Sequence, residues 1–211
     1  MTTIFKPIVF AVVVSLVASR SVNAAAIDIP GTVEAIESVE NAPSRAALTM
    51  AMDAYQRAVS LGKVLKPALL TLIDYTRPST EPRLWVLDLV SGRILHRELV
   101  AHGKNSGGNV PTRFSNDDGS LQSSLGLFVT DRTYTGENGY SLRLRGLDAG
   151  VNDHAFARAI VFHGADYVSA DVAAKLGRLG RSWGCPALRP EIARTIIDLI
   201  KDGTVVYAFG R

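Results

Sequence analysis

Apolar positions fall in short blocks along most of the chain and at helical spacing in one long segment. Between Arg45 and Leu61, residues Ala47, Met50, Ala51, Ala54, Tyr55 and Ala58 recur at i, i+3 and i+4, with Ser44 placed to cap the start and Gly62 to stop the helix. Leu69 to Tyr75 is an apolar run of strand length. In RLWVLDLV (83–90), Leu84, Val86, Asp88 and Val90 alternate against Trp85, Leu87 and Leu89. Ser91-Gly92 then turns the chain into 94–101, which predicts a hairpin. Further strands are expected over 125–131, over 140–147 with Leu142 and Leu144 toward the core, over 158–163, and over 204–209. A short helix is expected over 171–176 and a longer one from Pro190 to about Lys201. Residues 27–43, with Pro30, Gly31 and Pro43, show no clear period and read as a linker. Residues 103–124, rich in Gly, Ser, Asn and Asp, read as a long loop, a feature usually functional or mobile. Many short strands with few helices predict a mainly β domain with peripheral helices, a sandwich or barrel rather than a parallel α/β sheet.

The N-terminus has a different character. Lys6 precedes an apolar run from Ile8 to Ala18 broken only by Ser15, and Val22-Asn23-Ala24 satisfies the small-x-Ala cleavage rule. Residues 1–24 therefore read as a secretory signal peptide. The run is too short to span a bilayer comfortably, so no stable membrane anchor is expected. The 211-residue chain then divides into signal peptide 1–24, linker 25–43 and one domain over 44–211. Lys6 and Arg20 account for two of the 23 basic side chains, leaving 21 against 20 acidic ones in an almost neutral mature protein. With no dense basic run either, nucleic acid is excluded as a partner.

An exported chain of this size often carries disulfides, but this one has a single cysteine, Cys185. A lone Cys is either a small buried apolar residue or a reactive thiol, and export favours chemistry without deciding it. Cys185 ends Ser182-Trp183-Gly184-Cys185, and upstream His163-Gly164 closes the expected strand 158–163. A thiol nucleophile needs a base and oxyanion donors. Pairing with His163 predicts a lowered thiol pKa, and Gly184 permits close approach of backbone N–H groups.

A His-Gly followed, after residues 165–181, by Ser-x-Gly-Cys resembles the signature of the L,D-transpeptidases of the YkuD type. RLWVLDLVSG (83–92), AHGKNSG (101–107), QSSLGLF (122–128), YSLRLRGL (140–147), RAIVFHGADYVS (158–169) and GRLGRSWGCPAL (177–188) are similar to the murein L,D-transpeptidase catalytic-domain subfamily, over roughly 45–210. The resemblance implies a β-sandwich with an N-terminal helix and a helix after the catalytic Cys, without metal or organic cofactor. It implies Cys185 as nucleophile, His163 as base oriented by a backbone carbonyl, and Gly184 and Ser182 as parts of the catalytic turn. Two positions depart from the signature: Trp183 stands where a second His is usual, and Ala187 where an Arg is usual. Trp183 is then a cleft wall or a packing residue. His102, in a second His-Gly, is a candidate substitute imidazole or an exposed strand-end residue. Arg143 and Arg181 are candidates for stem-peptide carboxylates.

The implied reaction joins peptidoglycan stem peptides in the periplasm or cell envelope of a bacterium. Cys185 attacks the carbonyl of the third residue of a tetrapeptide stem, a diamino acid, releases D-Ala, and passes the acyl group to an amine. Water as acceptor gives an L,D-carboxypeptidase, endopeptidase or amidase instead. A non-catalytic wall-binding protein on the same fold is a second alternative. A papain-like protease fits poorly, because there the Cys precedes the His.

Overall fold

The computed structural model describes residues 27–211. The signal peptide expected over 1–24 lies outside the described residues. Helices α1 (Ile29–Glu37) and α2 (Arg45–Ser60) lead into strands β1 (Leu69–Asp74), β2 (Leu84–Asp88), β3 (Arg93–Glu98), β4 (Gly126–Gly136), β5 (Gly139–Gly146) and β6 (Val161–Gly164). Helix α3 (Ala170–Leu176), strand β7 (Ala187–Leu188), helix α4 (Pro190–Ile200) and strand β8 (Val205–Phe209) complete the chain. The architecture is mainly β with peripheral helices, one N-terminal and one after Cys185, as the sequence implies.

The strands form one eight-stranded sheet in the order β3-β2-β1-β8-β4-β5-β6-β7, parallel only at β1–β8 and β6–β7. β1, β2 and β8 are covered on both faces, which is why LLTLID, LWVLD and VVYAF carry so little polar alternation. On one face α1 and α2 set Ile36, Leu48, Met52 and Tyr55 against Leu72, Trp85 and Leu127. On the other, α4 presents Ala193, Ile196, Ile197 and Ile200 at i, i+3, i+4 and i+7 to Val86, Phe128, Leu144 and Phe162. Val86 and Phe162 come from strands near opposite ends of the order, so the sheet curls around this second core.

The curl brings the two edges together. The Ala101 N–H donates to the Ala187 carbonyl (2.9 Å), Ser182 N–H to His102 O (3.1 Å) and Lys104 N–H to Ser182 O (2.8 Å). Glu98 and Arg189 form an ion pair of 2.8 Å at the same seam. The closure turns a sandwich-like sheet into a near-barrel, and the Ser-Trp-Gly-Cys segment sits on the seam.

Residues 29–37 depart from the linker expectation. The Asp28 carboxylate accepts from Gly31 N–H (3.2 Å), Pro30 occupies the first turn, and Ile36 is buried against α2. The helical stripe Ile29, Val33, Ile36 lies in a helix of only nine residues, too short to stand out as a period without the core it covers. α2 begins where expected, with Ser44 Oγ accepting from Ala47 N–H at 3.3 Å. Ser44→Ala is expected to cost about 1 kcal/mol of stability, read from the shift of a denaturant midpoint at unchanged slope.

Candidate active site

β6 and β7 run side by side with His163 paired to Ala187, which sets the end of the His-Gly strand beside the chain leaving Cys185. The turn before β7 is held from within. Ser182 Oγ donates to the Cys185 carbonyl (2.6 Å) and accepts from Gly184 N–H (3.1 Å). Ser123 Oγ donates to the Gly184 carbonyl (3.0 Å) while accepting from Gly103 N–H (3.0 Å). Ser182 is therefore the brace of the turn. Gly184 serves through its backbone: φ is +122°, and its N–H is already committed to Ser182. Among the described residues the Cys185 N–H has no such partner.

His163 is 4% exposed and its Nδ1 lies 3.0 Å from the carbonyl of Gly164. An Nδ1–H donated there leaves Nε2 as a lone-pair acceptor. Burial holds the imidazolium form below the ordinary His range, opposed by the Gly164 carbonyl. Cys185 is 8% exposed, and its thiol donates to the Ala159 carbonyl at 3.6 Å. The sequence reading expects a lowered thiol pKa; instead burial pushes the thiol up, with the Val161 N–H and Arg158 charge acting against it. Desolvation outweighs the local donors, which favours the neutral form of each group. Both line one cleft of about 330 Å³, walled also by Trp183, Tyr167, Arg158, Arg181 and the β4–β5 hairpin tip Glu137-Asn138.

Residues 40–209 match the family model for the L,D-transpeptidase catalytic domain. The chain belongs to this family.

Solved structures similar to this L,D-transpeptidase domain include an L,D-transpeptidase from Mycobacterium smegmatis, at 15% identity and TM-score 0.42, covering 68% of this chain and 59% of that one. L,D-transpeptidase 1 of Mycobacterium tuberculosis gives 15% identity and TM-score 0.39, over 68% and 62%. The helical cell shape determining protein Pgp2 of Campylobacter jejuni gives 13% and 0.45, over 68% and 47%. The matched part of the chain thus spans less than two thirds of the length of these structures. No curated protein matches the sequence.

The outer positions of this L,D-transpeptidase site differ from the sequence expectations. Trp183 is 74% exposed on the rim, a cleft wall rather than a packed core residue. His102 does not reach the cleft. It is 0% exposed, accepts from Arg83 Nη2 at 2.6 Å, and stacks edge-on to Tyr75. Burial, then Arg83 and Arg181, push it down to about 3, so it is a neutral packing residue and no substitute imidazole. Arg143 is also absent from the wall, its guanidinium lying over Tyr134 (4.4 Å) and Phe156 (5.3 Å). Arg181 lines the cleft, but its donors go to the carbonyls of Leu179 (2.6 Å), Gly180 (2.9 Å) and Gly107 (3.3 Å), and also to Gly108. It fastens loop 103–124 to the catalytic turn more than it offers a free carboxylate fork.

Arg158 is among the cleft residues that sequence reasoning missed, with Glu137, Asn138, Ala159 and Tyr167. It opens the segment before β6 and makes its hydrogen bonds to a distant loop, a relation that no local spacing carries. Among the described residues no group of three or more His, Cys, Asp or Glu is placed to hold a metal ion, and no helix is long and apolar enough to cross a membrane.

Proposed function

We propose that the protein is an exported peptidoglycan L,D-transpeptidase of the bacterial cell envelope, its catalytic domain covering 44–211. The observation that carries this reading is that Cys185 and a His163 locked by Gly164 face one cleft within a family of L,D-transpeptidase catalytic domains. His163 Nε2 takes the thiol proton as Sγ attacks the carbonyl of the third stem residue. The oxyanion meets the Cys185 N–H. Collapse breaks the bond to the terminal D-Ala, whose amine receives the proton from His163, and a thioester remains. An acceptor amine then attacks the thioester, gives its proton to His163, and the thiol is restored. Glu137, the carboxylate among the cleft residues, offers negative charge to an ammonium group of a diamino acid. Trp183 and Arg181 form the substrate-facing walls.

Incubating the protein with tetrapeptide muropeptides and a free D-amino acid tests the reading. Mass spectrometry is expected to show D-Ala exchanged for the added amino acid and a stem acyl adduct on Cys185. Tripeptide alone means that water is the acceptor, and intact muropeptide with an unmodified Cys185 means a wall-binding protein without catalysis.

A further inference from the structure

Ala159, the residue whose carbonyl faces the Cys185 thiol, has φ +53°, the left-handed region that a residue with a Cβ seldom enters. Such a conformation persists where neighbours over-determine it, often at functional sites. Arg158 is the adjoining anchor. Its Nη1 donates to Ser115 O (2.7 Å) and Ser124 Oγ (2.6 Å), and its Nη2 to Ser120 Oγ (3.0 Å) and Gln122 O (2.8 Å). All these acceptors are neutral and lie in one stretch of the 103–124 loop. Among the described residues Arg158 makes no ion pair; Asp117 and Asp118 attract it only from a distance. A guanidinium held in a fork of neutral oxygens keeps its charge, and this one stands in the wall of the cleft that holds Cys185.

The same fork reaches the catalytic turn by a second route. A Cβ on Gly184 would stand 2.7 Å from Gln122 O, so Gln122 backs the turn, and Arg158 is what holds Gln122 O. Trp183 brings no charge to the site. Proton loss also turns the Ala159 carbonyl from an acceptor of the thiol into a repelling dipole, so the sulfur needs a different stabilising partner once ionised.

Resting on the reading of Cys185 as nucleophile, we propose that Arg158 is a positioning residue with two effects: its fork sets the loop behind Gly184, and its positive charge in the cleft wall stabilises the Cys185 thiolate as it forms. The opposition of Arg158 to the burial of the thiol points the same way.

Alkylation by iodoacetamide tests this without any muropeptide, so its outcome is independent of whether the acceptor is an amine, water or nothing. Cys185 is the only cysteine, so the label reports on it alone. In Arg158→Gln the midpoint of the rate–pH curve is expected to rise by about one unit, a roughly tenfold slower reaction below the midpoint. Arg158→Lys, which keeps the charge and loses the fork, is expected to hold the midpoint within a few tenths of a unit while loosening the loop in hydrogen exchange. An unchanged midpoint in a folded glutamine variant overturns the charge assignment and leaves Arg158 a loop clamp. If the glutamine variant does not fold, the lysine variant decides: a rise of a full unit there overturns the proposal, and an unchanged midpoint supports it.

Discussion

Cys185→Ala is expected to abolish turnover, and His163→Ala, with the thiol intact, to lower kcat/KM at neutral pH by about 10²–10⁴-fold. The reason lies in the resting charge state. A pre-formed thiolate–imidazolium pair would lose its nucleophile's charge partner, but burial here favours the neutral form of both groups, so the proton is expected to move during attack. His163 is held below the ordinary His range by burial, so it stays a competent base as pH falls through that range, and activity is lost only below it. The slope separates the two enzymes. Wild type is expected to be nearly flat around neutrality. The His163→Ala variant depends on thiolate formed beforehand, and because burial pushes the thiol up, its residual rate climbs about tenfold per pH unit across neutrality and past the ordinary thiol range. Single-turnover acylation followed by intact mass, with circular dichroism to confirm the fold, gives both rate and slope. Equal slopes in the two proteins would sink the general-base role of His163.

Part of this was legible in the sequence. Short apolar runs bounded by turn residues found the strands, the central ones being buried on both faces, and Ser44 with its apolar stripe announced α2. That His163 and Cys185 share one cleft was legible from the strand-end His-Gly and the Ser-x-Gly-Cys that follows it. The two-residue β7 was not, since Ala187-Leu188 becomes a strand only by lying against β6. The thiol's direction of shift was misjudged because the number of atoms that bury Cys185 is set by the closed seam, not by its neighbours in sequence. His102 was chosen for its His-Gly and Arg143 by residue type, but their fates were decided by Arg83 and by the Tyr134 and Phe156 rings, contacts between chain segments that neither signal carries. Arg158 was missed for the same reason: its acceptors lie 34 to 43 positions away along the chain.

Gly184→Ala is expected to be costly on two counts, backbone strain and lack of space. At φ +122° an L residue is strained whatever the space, by about 1–3 kcal/mol. The space is also occupied: the new Cβ would stand 2.7 Å from Gln122 O and 3.0 Å from Ile160 Cδ1. Ile160 can rotate, but Gln122 O is main chain pinned by Arg158, so the turn itself must move. Moving the turn shifts the Cys185 N–H and Sγ together, relative to a His163 fixed on β6. A displacement of about 1 Å in a reacting group costs on the order of 10²-fold in rate. The variant is therefore expected to lose at least that factor in acylation, along with a lowered thermal midpoint. Gly108→Ala is the control, because its Cβ meets nothing within 4 Å and it lies in the same loop as Gln122. Wild-type acylation by a folded Gly184→Ala protein would show that the turn's conformation does not position the nucleophile. A loss shared equally by the Gly108 variant would assign the effect to the loop at large.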